Sequence, residues 1–274
     1  MTVIVSVKIN DGIVMAADSA TTFNTLPSSQ IYAHSNKIVN LRKGLPIGAM
    51  VTGAGGIGSE SIDTLFKDLR RRFSGDDAAH QDWVLNHNCY TMKEVAEKVR
   101  LFIGEEKLSA ISDEIWTSIR ICGYSSGRPL SEIWDVNIRG RDIPAPVELQ
   151  SEASFGIRWG GDYEALDRLL LGRSTTFQQT IQKFGLSPEQ AEKADEFVIQ
   201  EHRALLYMNA MPIQDAIDLA RFLAETTIGF VKFSVGRDKS VGGPIEIAAI
   251  TKHEGFRWVQ RKHFYSDELN TSSL

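Results

Sequence analysis

The chain has 274 residues, 42% hydrophobic and 24% charged, a globular composition ample for a sizeable core in one large or two small domains. Thirty Lys and Arg against 35 Asp and Glu leave a formal charge of -5, and there is no basic tail, so nothing favours nucleic acid or an anionic membrane as partner. Cys89 and Cys122 fit no metal-ligand spacing and read as reduced thiols of a cytoplasmic protein. No apolar run is long enough to span a membrane. Ser6, Lys8, Asn10 and Asp11 interrupt the first apolar stretch, so no signal peptide is expected.

Residues 2 to 9 alternate, with Val3, Val5, Val7 and Ile9 on one face and Thr2, Ile4, Ser6 and Lys8 on the other, as a half-buried strand does. Asn10, Asp11 and Gly12 supply a turn and Ile13 to Ala17 a second run, so the pair reads as a β-hairpin. Pairing Ile9 with Ile13 across a three-residue turn sets Thr2 opposite Ala20, with Asp18 on the same face as Thr2. A two-residue turn sets them on opposite faces.

A polar loop is expected from Thr21 to Ser35, then strands at Lys37 to Leu41 and Ile47 to Thr52, the latter running into Gly53. Ile62, Leu65, Phe66, Leu69 and Phe73 recur at helical spacing, and Thr91 with Glu94 predicts the capped start of a second helix. Residues 116 to 138 return to a strand pattern around a turn at Ser125 to Gly127. A strand near Ser154 to Trp159 follows, ending in Gly160 and Gly161, then a helix from Tyr163 to Leu171. Ser187, Pro188 and Gln190 mark the start of a helix inside the polar segment 173 to 207, and another helix begins at Pro212. Ile245 to Thr251 and Trp258 to His263 form the last strand pair, and the tail after Ser266 is expected to fray. Strands first, helices in the middle and strands last favour a single α+β domain over alternating βαβ units.

Three local patterns invite functional readings. GAGGIG, residues 53 to 58, matches a dinucleotide turn, but that reading needs a parallel strand after the following helix, and the polar RRRFSGDDAAHQDW comes there instead. His80, His87 and Cys89 lack a fourth ligand and read as surface loop. Arg70, Arg71 and Arg72 suit a solvated helix end that complements the dipole.

Thr2 matters for its place. Removal of Met1 would leave a first residue carrying a hydroxyl and a free α-amine, whose ordinary pKa of about 7.7 to 8.0 lets the amine act as base for the hydroxyl. Lys37 offers a cation to lower that pKa, Asp18 a carboxylate to hold the cation, and Gly53 a main-chain N–H for a developing oxyanion. Each also has an ordinary explanation: Asp18 as a turn former, Lys37 as a surface charge, Gly53 as a turn glycine.

Taken together, Thr2 opening a strand, DGIVMAADS, the lysine of NKIV, AMVTGAGG and the late VGGPIEIAAIT resemble proteasome β-type subunits, which are N-terminal nucleophile hydrolases. The resemblance is strongest to the homomeric bacterial members, such as the HslV peptidase and smaller proteasome homologues, since no propeptide precedes Thr2. It covers most of residues 2 to 72 and is looser in 116 to 172 and 212 to 263. Residues 173 to 207 stand out as a helical insertion.

The resemblance implies an α+β fold in which two stacked antiparallel sheets lie between helical layers, a four-layer αββα sandwich. It makes Thr2 the nucleophile, with Asp18, Lys37, Gly53 and Asp238 as its catalytic companions. The segments at Thr22 and at Gly53 to Gly55 would hold an extended substrate strand. It implies a peptide or unfolded protein as substrate, stacked homo-oligomeric rings, an ATP-driven unfoldase as partner, and no cofactor or metal. Two departures stand out. Gly160 or Gly161 replaces a family serine, and the Asp-x-x-Ser-Gly-Gly pattern reads Asp238, Lys239, Ser240, Val241, Gly242, Gly243. These departures motivate a second reading, a ring-forming scaffold with little hydrolytic activity, and a third, an amidase using the same nucleophile on a small amide, stays open because fold alone does not decide function.

Overall fold

Every position of β1 (Val3–Ile9) is buried, so both of its faces require apolar cover. Val3, Val5, Val7 and Ile9 enter one core and Ile4 another. A computed structural model describes residues 2–25 and 28–262 of the chain. Met1 and the tail after Ser266 lie outside the described residues.

β2 (Gly12–Ala17) pairs antiparallel with β1, Ile9 opposite Gly12 and Ile4 opposite Ala17. The turn therefore has two residues, Asn10 and Asp11, and the three-residue register expected above is corrected. Gly12 belongs to the strand, where it abuts the Ile250 carbonyl and leaves no room for a side chain. Asp18 consequently falls beside Val3, to whose carbonyl its N–H donates at 3.2 Å.

The expected polar loop is instead a hairpin of β3 (Thr21–Thr25) and β4 (Ser28–Tyr32), consistent with the β-branched threonines that open it. β5 (Ile38–Asn40), β6 (Ile47–Gly53), β7 (Gly56–Ile57) and β8 (Glu60–Ser61) lead into α1 (Ile62–Ser74). Ser61 caps α1 by accepting from the Thr64 N–H at 3.2 Å. α2 (Met92–Arg100), capped by Thr91, runs on into a π-helical stretch, Leu101–Leu108. Next come β9 (Ile115–Gly123), β10 (Glu132–Gly140), β11 (Val147–Gln150) and β12 (Gly156–Gly161). α3 (Glu164–Leu166) continues as a π-helical turn, Asp167–Leu171. Within the segment read as an insertion lie α4 (Phe177–Lys183), which no sequence signal marked, and α5 (Pro188–His202), whose Ser187 and Gln190 form the expected capping box. α6 (Ile213–Phe233), β13 (Glu246–Thr251) and β14 (Gly255–Gln260) complete the order.

The strands form two five-stranded sheets, ordered β12-β1-β2-β13-β14 and β11-β10-β9-β6-β5, and every pairing within them is antiparallel. α6 packs Ala220 and Leu223 with Val3, Val5 and Val7 of the first sheet. α1 and α2 pack Leu65, Phe66, Val95 and Val99 with Ile119 and Val136 of the second. The sheets share a third core, where Ile4 and Met15 meet Met50 and Cys122. The protein is thus a mixed α+β structure of antiparallel sheets and helices.

These arrangements settle the local patterns. β6 is antiparallel to both β5 and β9, so the parallel strand that a dinucleotide turn demands is missing from its flanks. Arg72 is not on a solvated helix end. It is buried, bidentate to Glu106 at 2.6 and 2.7 Å, with its guanidinium over the Trp83 and Phe102 rings. Among the described residues no group of three or more His, Cys, Asp and Glu side chains is placed to hold a metal ion, and no helix is long and apolar enough to cross a membrane.

Because Phe66 of α1 is buried in the core against the second sheet, Phe66→Ala should lower the urea unfolding free energy by about 3–5 kcal/mol. Trp116→Ala, at an exposed position, should change it little. Equal effects would show that α1 is not packed as described.

Candidate active site

β1 is interior in its sheet, flanked by β12 and β2, and this fixes the residue that enters it. Thr2 is 5% exposed, and its carbonyl accepts the Asp162 N–H at 2.7 Å. Gly161 makes that approach possible: it has φ +87, and a Cβ there would lie 1.8 Å from the Thr2 carbonyl oxygen. Any side chain at 161 would collide with that carbonyl.

β2 ends at Ala17, so the next residue is free of the ladder and turns its carboxylate inward. Asp18 is fully buried and accepts four hydrogen bonds. Oδ1 takes the Val3 N–H at 3.0 Å and the Lys37 Nζ at 2.7 Å. Oδ2 takes the N–H groups of Ala20 at 3.2 Å and Gly242 at 3.0 Å. Donors to both oxygens offset the cost of taking a carboxylate out of water.

Lys37 immediately precedes β5 and is 5% exposed. Its carbonyl accepts the Val51 N–H at 3.0 Å, which ties the start of β5 to β6. Burial pushes the ammonium pKa below its ordinary value, and the Asp18 carboxylate opposes that shift. Lys37 is therefore a buried amine in contact with the Asp18 carboxylate, and the reading of it as a surface charge is excluded.

Gly53 closes β6 with φ +97, and a Cβ there would meet the Trp116 carbonyl at 2.1 Å. Amide direction alternates along a strand. The Val51 N–H points to Lys37 on the β5 side, and that of Ala54 to Trp116 on the β9 side at 3.0 Å. The Gly53 N–H thus points the way Val51 does, past the residue where β5 begins. A cavity of about 50 Å³ lies there, lined by Thr2, Thr21, Lys37, Val51, Gly53 and Gly55 among others.

The structure therefore brings Thr2, Lys37, Gly53 and Gly55 to one cavity across both sheets, with Asp18 joined to it through Lys37 and the Val3 N–H. Two expected residues are placed elsewhere. Thr21, not Thr22, lines the cavity, because neighbouring side chains on β3 face opposite ways. Asp238 is exposed on the loop after α6 and, among the described residues, has no hydrogen bond or ion pair. Burial goes instead to the accessory positions around it. The Ser240 Oγ is buried without a partner among the described residues, and the carboxylate next to the Thr2 main chain is Asp162, paired with Arg237 at 3.3 Å. Gly242 was quoted above only as part of a pattern, yet its N–H holds Asp18. Asp162 carried no signal in the sequence because its contact is made through the chain.

No protein-family model matches the sequence, and no curated protein matches it.

Asp18→Asn leaves the buried Lys37 uncompensated and should cost about 3–5 kcal/mol in urea unfolding, as should Lys37→Met for the opposite charge. The double variant should be destabilised by at least about 1 kcal/mol less than the sum of the two, since the pair is in direct contact. Additive losses would show that the two groups do not interact.

Proposed function

We propose that the protein is a threonine-type peptidase in which cleavage of Met1 exposes Thr2 as an N-terminal nucleophile. One observation carries the reading: Thr2, the Lys37 ammonium fixed on Asp18, and the Gly53 end of β6 surround a single cavity. Two antiparallel sheets sharing a core, each with helices on its other face, support a four-layer αββα sandwich of the N-terminal nucleophile type.

In this reaction the Thr2 hydroxyl oxygen attacks a peptide carbonyl, and its proton passes to the Thr2 α-amine. The carbonyl oxygen becomes an oxyanion facing the Gly53 N–H. Lys37 lowers the affinity of the nearby amine for a proton through its own positive charge, and Asp18 holds Lys37 in register. Collapse of the intermediate breaks the C–N bond, the new ammonium gives its proton to the departing amine, and an ester to Thr2 remains. Water then attacks the ester with the amine again as base, and the carboxylic product leaves with Thr2 restored. Peptides or unfolded protein are the substrate class under this reading, with homo-oligomeric rings as the assembly and an ATP-driven unfoldase as partner.

The exposed Asp238 and the apolar Val241 favour a second reading, a scaffold of the same fold with low turnover. Hydrolysis of fluorogenic peptides by the Met1-free protein separates the two. The peptidase reading expects Thr2→Ser to retain activity and Thr2→Ala to lose at least about 10³-fold. Wild-type turnover that survives Thr2→Ala overturns it, and absence of turnover in the wild type selects the scaffold.

A further inference from the structure

The chain returns to this site from its far end. Lys262 follows β14, and its side chain is 5% exposed. Its Nζ donates to the Ser19 Oγ at 2.8 Å and to the Ser35 carbonyl at 2.6 Å, and lies 3.1 Å from the Glu246 Oε2. Ser19 follows Asp18 directly, and Ser35 stands two residues before Lys37. The two segments are also joined to each other, the Ser35 N–H donating to the Ser19 carbonyl at 2.9 Å.

Glu246 is as deeply placed, 1% exposed, and opens β13 opposite Ala17, the residue before Asp18. The Ser19 hydroxyl donates to the Pro244 carbonyl at 2.6 Å, two residues beyond the Gly242 N–H that holds Asp18. Lys262 and Glu246 thus touch every segment that carries the Lys37–Asp18 pair. Two carboxyl and two amino side chains removed from solvent result, Asp18 and Glu246 against Lys37 and Lys262.

Such a pair is costly to bury and gives little net stability, so a role in positioning is the better explanation for it. We propose that Lys262 and Glu246 are positioning residues for the candidate active site, Lys262 clamping the Asp18 and Lys37 segments together while Glu246 holds Lys262 and balances its charge. Only the catalytic consequence rests on the peptidase reading. The positioning does not.

The two residues act on Lys37 in opposite senses: the Lys262 charge disfavours protonated Lys37 and the Glu246 charge favours it. Two further charged groups act on the network: Asp63 of α1 on Lys262, and Arg261 on Glu246. Removing Lys262 should therefore raise the midpoint at which Lys37 titrates, and neutralising Glu246 should lower it.

The test is an NMR titration of the Lys37 side-chain resonances in the full chain, for wild type, Lys262→Met, Lys262→Arg and Glu246→Gln. The Lys37 midpoint is expected to rise by about half a pH unit or more in Lys262→Met and to fall by a similar amount in Glu246→Gln. Lys262→Arg, which keeps the charge, should stay near wild type. Should Lys262→Met fail to fold, Glu246→Gln carries the same test with the opposite sign. A midpoint that stays at the wild-type value in a folded Lys262→Met or Glu246→Gln overturns the proposal. Peptide hydrolysis against pH then reads the consequence. A limb that moves with the Lys37 midpoint supports both the positioning and the peptidase reading. Shifted midpoints with no hydrolysis in any form support the positioning and overturn the peptidase.

Discussion

A carboxylate taken wholly out of water needs donors on both oxygens, and the region around Thr2 is organised to supply them to Asp18. The four donors come from separate parts of the chain: Val3 on β1, Ala20 after β2, Lys37 before β5 and Gly242 in the loop that precedes β13. One side chain therefore joins the first sheet to the second and to a loop more than two hundred residues away in sequence. It also opposes the downward pull of burial on the Lys37 ammonium pKa, because Asp18 is the carboxylate that ammonium contacts.

The position of Thr2 follows from the same economy of space. β1 is enclosed by β12 and β2, so the residue that enters it is held by main-chain bonds before any side chain takes part. Gly161 and Gly53 permit approaches that no other residue would allow, one to the Thr2 carbonyl and one to the Trp116 carbonyl. Under the proposed peptidase reading, a nucleophile carried on a fixed strand end would have its hydroxyl oriented by the fold, and orientation of this sort is a large part of what an active site contributes.

Much of this was legible in the residues themselves. Alternation along Val3 to Ile9 identified β1, the 3.6-residue spacing of Ile62 to Phe73 identified α1, and the Ser187 and Gln190 pair identified the start of α5. The hairpin register was not, because it depends on how closely β13 approaches Gly12, a tertiary fact that turn chemistry does not contain. Arg72 was misread for a similar reason: its helix end meets Glu106, Trp83 and Phe102, which no local pattern brings together. Of the residues singled out in the sequence, Thr2, Lys37, Gly53 and Gly55 line one cavity and Asp18 bonds Lys37, whereas Asp238 lies on a loop that leaves it in solvent. Asp162, Glu246 and Lys262 act through main-chain contacts or buried charge, for which a linear sequence offers no periodic mark.

The central claim is that Thr2 presents a hydroxyl and a free amine in the same cavity. It is tested most directly by the intact mass of the protein before and after a peptide epoxyketone, a reagent that closes a ring only on a residue carrying both groups. The account predicts a starting mass lacking Met1 and a gain of one adduct per chain, which peptide mapping assigns to Thr2. A chain with Thr2 at its terminus that gains no adduct, or gains one at any other residue, would contradict it.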